Sequence, residues 1–413
     1  MRVLILGSGG REHALAWQLS KSADVHCAPG NPGTAKVSTN HTINLGDHLQ
    51  LVELANRLRP DLIIIGPEDP LITGVADVLR TAGFDVFGPG KAGASLEGSK
   101  AYSKTLMAKA GVPTARFRNF TDPQQAQEFA RTLFATGNGA VVKASGAALG
   151  KGVMVTDSVE EAIEAIRWML SGGLGESGKE IVVEERLLGR EFSLLTICSG
   201  MSFVSLPVAQ DHKRVGEGDV GANTGGMGTF APADWVSPDT VRQTHERVVA
   251  PMLQRLNQDG IDYRGVLFSG LLVQDGIPYC LEYNVRFGDP ETQSIMRLVK
   301  SGLLECLTSA ARGEEVPKVS LSDDSAVTVI AASAGYPGEV KKDFPISLPS
   351  DSGNVVVFHS GTRESHAGLQ TAGGRVLGVS ATGPTVAAAR DEAYEFLKHV
   401  SFEGMFYRHD IAR

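Results

Sequence analysis

The chain has 413 residues, more than one ordinary core organises, so two to four domains are expected. Its 42% hydrophobic and 21% charged residues suit a folded globular chain, and a net charge of −8 excludes a broad nucleic-acid surface while leaving room for local basic pockets. Four scattered cysteines without a Cys-x-x-Cys, the lack of a membrane-length apolar run and the lack of a signal-peptide core together predict a cytoplasmic protein with no disulfide framework, structural zinc or membrane partner.

Residues 1–100 alternate strand and helix signals. The apolar run Val3-Leu4-Ile5-Leu6 ends in Gly7-Ser8-Gly9-Gly10, and helical spacing follows over 11–20. A second strand, 25–28, closes on Pro29-Gly30-Asn31, and Asp47 is placed to cap a helix through 58. A third strand, 62–65, closes on Gly66-Pro67-Glu68, a helix runs to 81, and a fourth strand, 86–87, closes on Gly88-Pro89. Continuous apolar strands between helices predict a parallel sheet covered on both faces, with ligands beyond its carboxyl ends.

The first of those loops invites a dinucleotide reading. Glu12, however, stands where the third glycine of G-x-G-x-x-G permits close helix packing, and no acid closes the second strand. A phosphate or phosphosugar at the helix N-terminus with Arg11 nearby fits the residues, and so does a plain tight turn.

Ser99 is placed to cap a helix through 110 that Gly111 and Pro113 end. A smaller α+β unit follows, with strands at 140–143, 153–155 and 181–185. Its Ser158-Val159-Glu160-Glu161 reads as a capping box. The 146–152 segment reads G-x-x-x-G-K-G between two strands, which rejects a Walker loop. Its backbone N–H groups could still cover phosphates, with Lys143 as a point charge; a mobile surface hairpin is the ordinary alternative. Glu184 and Glu185 end a strand, where free backbone groups beside carboxylates could meet an adenine edge and ribose hydroxyls, or simply water. Asp211-His212-Lys213-Arg214 and Asn223-Thr224-Gly225-Gly226-Met227-Gly228 flank a polar, glycine-rich loop of the kind that carries binding residues.

An apolar run at 266–273, a turn at Gln274-Asp275-Gly276 and a second strand through Asn284 predict a β-hairpin. Glu282 and Asn284 are two apart and share a face, so a carboxylate and an amide oxygen stand together as hard ligands for Mg²⁺ or Mn²⁺. A solvated edge strand is the ordinary alternative. Arg286 continues that face with a planar fork for carboxylate or phosphate. Asp289-Pro290-Glu291 is expected to start a helix, with Asp289 as its N-cap. From 326 a further strand set and a helix over 386–398 predict a small terminal domain.

Six stretches closely resemble the phosphoribosylamine–glycine ligases, or glycinamide ribonucleotide synthetases, a family of the ATP-grasp superfamily. They are Gly9-Gly10-Arg11-Glu12-His13-Ala14-Leu15, Gly66-Pro67-Glu68, Leu96-Glu97-Gly98-Ser99-Lys100, Gln210 to Arg214, Asn223 to Gly228, and Arg286-Phe287-Gly288-Asp289-Pro290-Glu291-Thr292-Gln293. The resemblance runs along essentially the whole chain. It implies a multidomain α/β and α+β fold: a Rossmann-like N-terminal domain (1–103), a small ATP-grasp subdomain with the phosphate loop (104–190), a large ATP-grasp subdomain with the metal site (191–322) and a small C-terminal α/β domain (323–413). It also implies ATP-dependent joining of glycine to 5-phosphoribosylamine through glycyl phosphate, in de novo purine synthesis.

Residue by residue, the resemblance implies Mg²⁺ or Mn²⁺ on Glu282 and Asn284, and ATP on Lys104, Lys143, Gly146, Gly150, Lys151, Gly152, Glu184, Glu185, Leu187 and Glu191. Gly9, Gly10, Arg11 and Glu68 would approach the phosphoribosylamine, and Asp211, Lys213 and Arg286 the substrates, Asp211 and Arg286 meeting glycine's ammonium and carboxylate. Lys143, Asp211 and Arg286 are the residues expected to act in the reaction itself. Small molecules are the expected partners, and a monomer or homodimer the expected state. The chain departs from the family pattern at Ser145, Ala147, Leu149, Arg186 and Ala222 and keeps the glycines and lysines. The rival readings are an ATP-grasp ligase with another substrate pair and a non-catalytic nucleotide-binding protein.

Overall fold

The computed structural model describes residues 1–137, 139–146, 152–350 and 353–413. The N-terminal strands form a parallel sheet in the order Thr39–Asn40, Asp24–Pro29, Arg2–Gly7, Leu62–Ile65, Val86–Phe87. Val3, Leu4, Ile5 and Leu6 are buried because helices cover both faces, which is what their unbroken apolar run demands. Asp47 accepts from the Leu49 and Gln50 N–H groups and starts the helix His48–Leu58. The single helix expected to end at residue 81 is two, Glu68–Thr73 and Val75–Thr81, parted by Gly74 at φ +92°. The strand order reverses between Arg2–Gly7 and Leu62–Ile65, so a crevice opens at their carboxyl ends.

A four-stranded antiparallel sheet follows, ordered Phe117–Phe120, Ile181–Glu185, Ala140–Ala144, Val153–Thr156. The helices Pro123–Thr136 and Val159–Trp168 pack on it around a separate core that includes Leu133, Val142, Ile166 and Val183. The capping box at Ser158 forms by half. The Ser158 hydroxyl accepts the Glu161 N–H, but the Glu161 carboxylate takes the N–H of Asp157 instead of returning to Ser158.

The second antiparallel sheet runs Ser202–Ser205, Arg190–Ser199, Arg264–Gln274, Ile277–Asn284, and its last two strands are the predicted hairpin. Gly270 pairs with Glu282 while Leu271 pairs with Cys280, so Leu281 is the extra residue of a bulge beside the two candidate metal ligands. A further sheet joins Gln210–Asp211 and Gly228–Ala231 to Ser325–Ser333, Arg375–Gly383 and Val355–His359. The polar loop around Asp211 is therefore built onto strands from the end of the chain. The helix Glu291–Leu298 is wedged between that sheet and Gly10–Leu19, and Val386–Leu397 packs against the same sheet.

The helix start expected at Asp289 is corrected. Pro290 holds the N-cap position with no side-chain bond, and the helix proper is Glu291–Leu298. Asp289 is unavailable because Gln293 donates to its Oδ1 at 2.8 Å and Arg375 pairs with its Oδ2 at 3.1 Å. Among the described residues no helix is long and apolar enough to cross a membrane.

Candidate active site

Three elements bring two lysines onto one carboxylate. Lys104 comes from the helix Lys100–Ala110, Lys143 from the strand Ala140–Ala144 and Glu184 from the strand Ile181–Glu185. Lys104 Nζ lies 2.6 Å and Lys143 Nζ 2.5 Å from the Glu184 oxygens, all three side chains being nearly solvent-free. Burial pushes the Glu184 pKa up, but the two ammonium groups outweigh it and hold the carboxyl below its ordinary range. Burial likewise lowers Lys104, whereas Glu184 and Glu282 overcome burial at Lys143 and raise it. Lys104 also donates to Thr114 Oγ1 (2.6 Å), whose hydroxyl donates to the Cys280 carbonyl (2.6 Å); Lys143 reaches the Leu281 carbonyl at 3.4 Å. The lysines thus link the two antiparallel sheets.

Glu282 lies across from them. Burial opposes its charge, yet Lys213, Lys143, Lys100 and Arg286 together draw its pKa down to about 2. Among the described residues none forms an ion pair with it within 4 Å, so an ionised carboxylate stands in a ring of cations without a direct partner. Among the described residues no three His, Cys, Asp or Glu side chains gather as a metal cage. One hard carboxylate with the Asn284 amide on the same face instead suits a divalent cation that takes its other ligands from phosphates and water. The residues therefore fit such an ion.

The 146–152 segment is rooted in this neighbourhood. Gly146 N–H donates to the Ser177 carbonyl, and the Gly152 carbonyl accepts from Ala144 at 2.8 Å. Ser145, a departure from the family pattern, accepts the Ala101 N–H on its hydroxyl at 3.2 Å and the Lys100 N–H on its carbonyl at 2.8 Å. It serves as a second cap on the helix that carries Lys104. Gly150 and Lys151 lie outside the described residues, as do Ala147 and Leu149. Beyond Glu184, Glu185 accepts the Arg116 N–H at 2.8 Å, and Arg186, where the family usually has Phe, pairs with Asp157. Leu187 follows, half-buried. Glu191 pairs with Lys213 at 3.0 Å, and that carboxylate is the main reason the Lys213 pKa is raised.

Asp211 pairs in the sheet with Thr229, and its carboxyl is pushed well up, first by burial and then by the charge of Glu291. Its Oδ1 is buried and has no hydrogen-bond partner among the described residues. Gly226, at φ +109°, forms its wall: a β-carbon there would stand 2.6 Å from that oxygen and 2.3 Å from the Pro290 ring.

The loop after the first strand differs from an open anion site. Glu12 Oε2 accepts the Gly9 N–H at 2.6 Å, and Arg11 Nε donates to Glu12 Oε1 at 2.5 Å. Gly10 is crowded from outside, because a β-carbon on it would meet Ser360 Oγ at 2.5 Å. Arg11 also donates to the Phe287 carbonyl at 3.1 Å and lies 3.9 Å from Glu68. Glu68 in turn contacts Arg286 at 3.3 Å, and Arg286 pairs with Glu97 at 2.9 Å. Gly9, Gly10, Arg11, Glu68 and Arg286 therefore do converge, around two carboxylates that already occupy the arginine.

Sequence reasoning gave no role to Glu97, Lys100, Tyr336 or Arg375, and read Asp289 only as a helix N-cap. Glu97 and Lys100 lie within one of the family-like stretches and Asp289 within another. Nothing local marks Tyr336 or Arg375, which reach the site from a turn and a strand of the terminal part of the chain.

Comparison with known proteins shows the family. Family profiles described as phosphoribosylglycinamide synthetase match in order: the N domain over residues 1–97, the ATP-grasp (A) domain over 98–292 and the C domain over 326–413. The chain is 45% identical to a phosphoribosylamine–glycine ligase of Rhizobium meliloti over 100% of this chain and 98% of the relative. It is 42% identical to the one from Synechocystis, over 100% and 99%. The crystal structure of the Thermotoga maritima phosphoribosylamine–glycine ligase superposes with a TM-score of 0.88 at 38% identity, covering all of both chains. The biotin carboxylase domain of Hydrogenobacter thermophilus 2-oxoglutarate carboxylase, crystallised with MgADP, shares the fold at a TM-score of 0.73 and 16% identity, over 98% of this chain and 91% of that one. With all three domain profiles matched in order and full-length relatives above 40% identity, the chain belongs to the phosphoribosylglycinamide synthetase (phosphoribosylamine–glycine ligase) family of ATP-grasp enzymes.

Proposed function

We propose that the chain ligates glycine to 5-phosphoribosylamine, using ATP to form glycyl phosphate and releasing glycinamide ribonucleotide, ADP and phosphate, as a step of purine synthesis. The observation that carries the reading is the Lys104–Glu184–Lys143 cluster at the junction of two sheets, with Lys143 reaching the Leu281 carbonyl next to Glu282 on the hairpin strand that also carries Asn284.

In this reading ATP lies between the sheets, with Lys104, Lys143 and the roots of the 146–152 segment at its phosphates. The 184–187 strand end meets the adenine through its backbone, since the Glu184 carboxylate is committed to the lysines and Glu185 to Arg116. Glu191 takes the ribose. Glu282 and Asn284 would hold Mg²⁺ or Mn²⁺, which when bound neutralises charge on the transferring phosphoryl group. Glycine's carboxylate attacks the γ-phosphorus and ADP leaves; Arg286 and Lys213 border that carboxylate, and Asp211 meets the ammonium end. The amine of phosphoribosylamine, placed by Gly9, Gly10, Arg11 and Glu68, then displaces phosphate. Protein groups form no covalent bond, and the rate comes from alignment and fixed charge.

The test is ADP release with glycine, freshly prepared phosphoribosylamine and ATP. Dependence on both substrates is expected. ATP binding without turnover on that pair, or turnover on a different carboxylate or amine, would overturn the reading.

A further inference from the structure

We propose that Arg375, at the start of a strand of the terminal sheet, and Tyr336, in the turn after Ser325–Ser333, form a clamp that positions the Asp211 carboxylate, and so govern use of the amino-acid substrate. The inference rests on the functional reading above and extends it to a part of the chain given no role there.

The two side chains hold Gly225 from both sides, one at each of its flanking peptide groups. Arg375 Nη1 donates to the Gly225 carbonyl at 2.5 Å and to the Asp289 carbonyl at 3.0 Å, and Nη2 pairs with Asp289 Oδ2 at 3.1 Å. The Gly225 N–H donates to the Tyr336 hydroxyl at 2.9 Å. Tyr336 is itself stacked on the chain just before Arg375, since a β-carbon on Gly374 would stand 2.3 Å from its ring. The next residue, Gly226, donates to Thr224 Oγ1 at 2.9 Å, and Thr224 donates to the Lys213 carbonyl. Gly226 is the wall against which Asp211 Oδ1 rests, and that oxygen is buried without a partner among the described residues. A buried acceptor left open in this way requires a donor from elsewhere, and an ammonium group supplies one.

The chain of contact is therefore short: guanidinium and phenol hold Gly225, Gly225 carries Gly226, and Gly226 shapes the face of Asp211. Neither Arg375 nor Tyr336 touches the Lys104–Glu184–Lys143 set, so nucleotide affinity is outside their reach. Arg375 is a positioning residue here, one that acts through a turn. Its guanidinium fork reaches two carbonyls from one nitrogen and a carboxylate from another, a rigid spacing that lysine's single ammonium does not reproduce.

Arg375→Ala is expected to lower kcat/KM for glycine about a hundredfold, the scale of an ångström misplacement in a reacting array. The Kd for ATP should stay within twofold, and ATP hydrolysis without ligation should take a larger share of ADP release. Guanidinium ion at millimolar concentration should restore part of the loss, and Arg375→Lys should not. Tyr336→Phe keeps the ring packing and removes only the acceptor for Gly225, so kcat/KM for glycine should fall about tenfold, as for loss of one hydrogen bond. A value of kcat/KM for glycine within twofold of wild type in both variants overturns the clamp. So does a parallel fall of ATP affinity, melting temperature and rate in both variants without guanidinium rescue, which is the signature of a merely structural contact. If wild type itself fails to turn over glycine, the functional reading falls, and the clamp is judged on the Gly225 and Gly226 amides. Faster hydrogen exchange there in both variants supports it, and unchanged exchange rejects it.

Discussion

Glu12 folds back onto Gly9, its carboxylate accepting that amide at 2.6 Å and filling the turn a dinucleotide-binding loop would leave open for a diphosphate. A β-carbon on Gly7 or Gly66 would stand within 2.6 Å of the Glu12 side chain, so the glycines that end both central strands make room for it. Arg11 balances the charge inside the protein. Glu12→Ala would leave Arg11 buried without its nearest carboxylate, and a loss of about 3–5 kcal/mol is expected in urea unfolding, the range for breaking a buried pair from one side. A loss below about 1 kcal/mol, the scale of a solvent-exposed pair, would mean the turn is held by something else.

Glu184→Gln tests the lysine pair. The isosteric amide keeps the volume but leaves two buried ammonium groups sharing no counter-charge. Stability should fall by about 3 kcal/mol or more, again by the one-sided breaking of a buried pair, and saturating ATP should recover part of it by supplying phosphate charge. Thermal shift with and without nucleotide reads both effects. Equal shifts in the two proteins would separate Glu184 from the nucleotide site.

Removing both candidate metal ligands, Glu282→Ala with Asn284→Ala, should reduce glycine-dependent ADP release by about two to three orders of magnitude, as expected if several kcal/mol of transition-state charge stabilisation is lost. Circular dichroism should be unchanged. A chelator should silence the wild-type enzyme and leave the variant's residual rate alone. Turnover of the variant at the wild-type rate would remove the assignment.

Acid should loosen the junction between the first helix and the terminal sheet. The backbone N–H of His359 donates to His13 Nδ1 at 2.8 Å, and burial, with Lys36 beside it, draws the His359 imidazole pKa down to about 4. His13 is also lowered, by burial first and then by His359 and Lys36. A histidine lowered on folding gives stability that is complete above about pH 6.5 and is lost as pH falls towards 4. For His359 the loss approaches about 3 kcal/mol at the acid end, at about 1.4 kcal/mol per unit. His359→Asn should flatten the melting-temperature profile between pH 6.5 and 4. A variant profile parallel to wild type would locate the acid response elsewhere.

The hairpin with Glu282 and Asn284 was legible because alternation, turn residues and length all pointed the same way. The parallel sheet was legible for a similar reason, its apolar runs being unbroken. Asp289 was misread since its local surroundings spell an N-cap, and only Arg375, 86 residues away, shows where its charge is spent. Glu184 looked like a solvated strand end because the lysines that claim it come from two other elements. At Glu12 the sequence argued against a dinucleotide, but it did not say that the carboxylate itself would plug the turn. In each case composition and spacing report the element, and the partner comes from a distant part of the chain.

The sheet that takes Gln210–Asp211 and Gly228–Ala231 from mid-chain and Ser325–Ser333 from beyond the hairpin also limits how the polypeptide can be divided. A protein cut after residue 322 would carry Gln210–Asp211 and Gly228–Ala231 as one short ribbon, with the Gly228–Ala231 edge that pairs with Ala326–Val329 left bare, a surface prone to self-association. The catalytic halves and the tail therefore mature as one cooperative body.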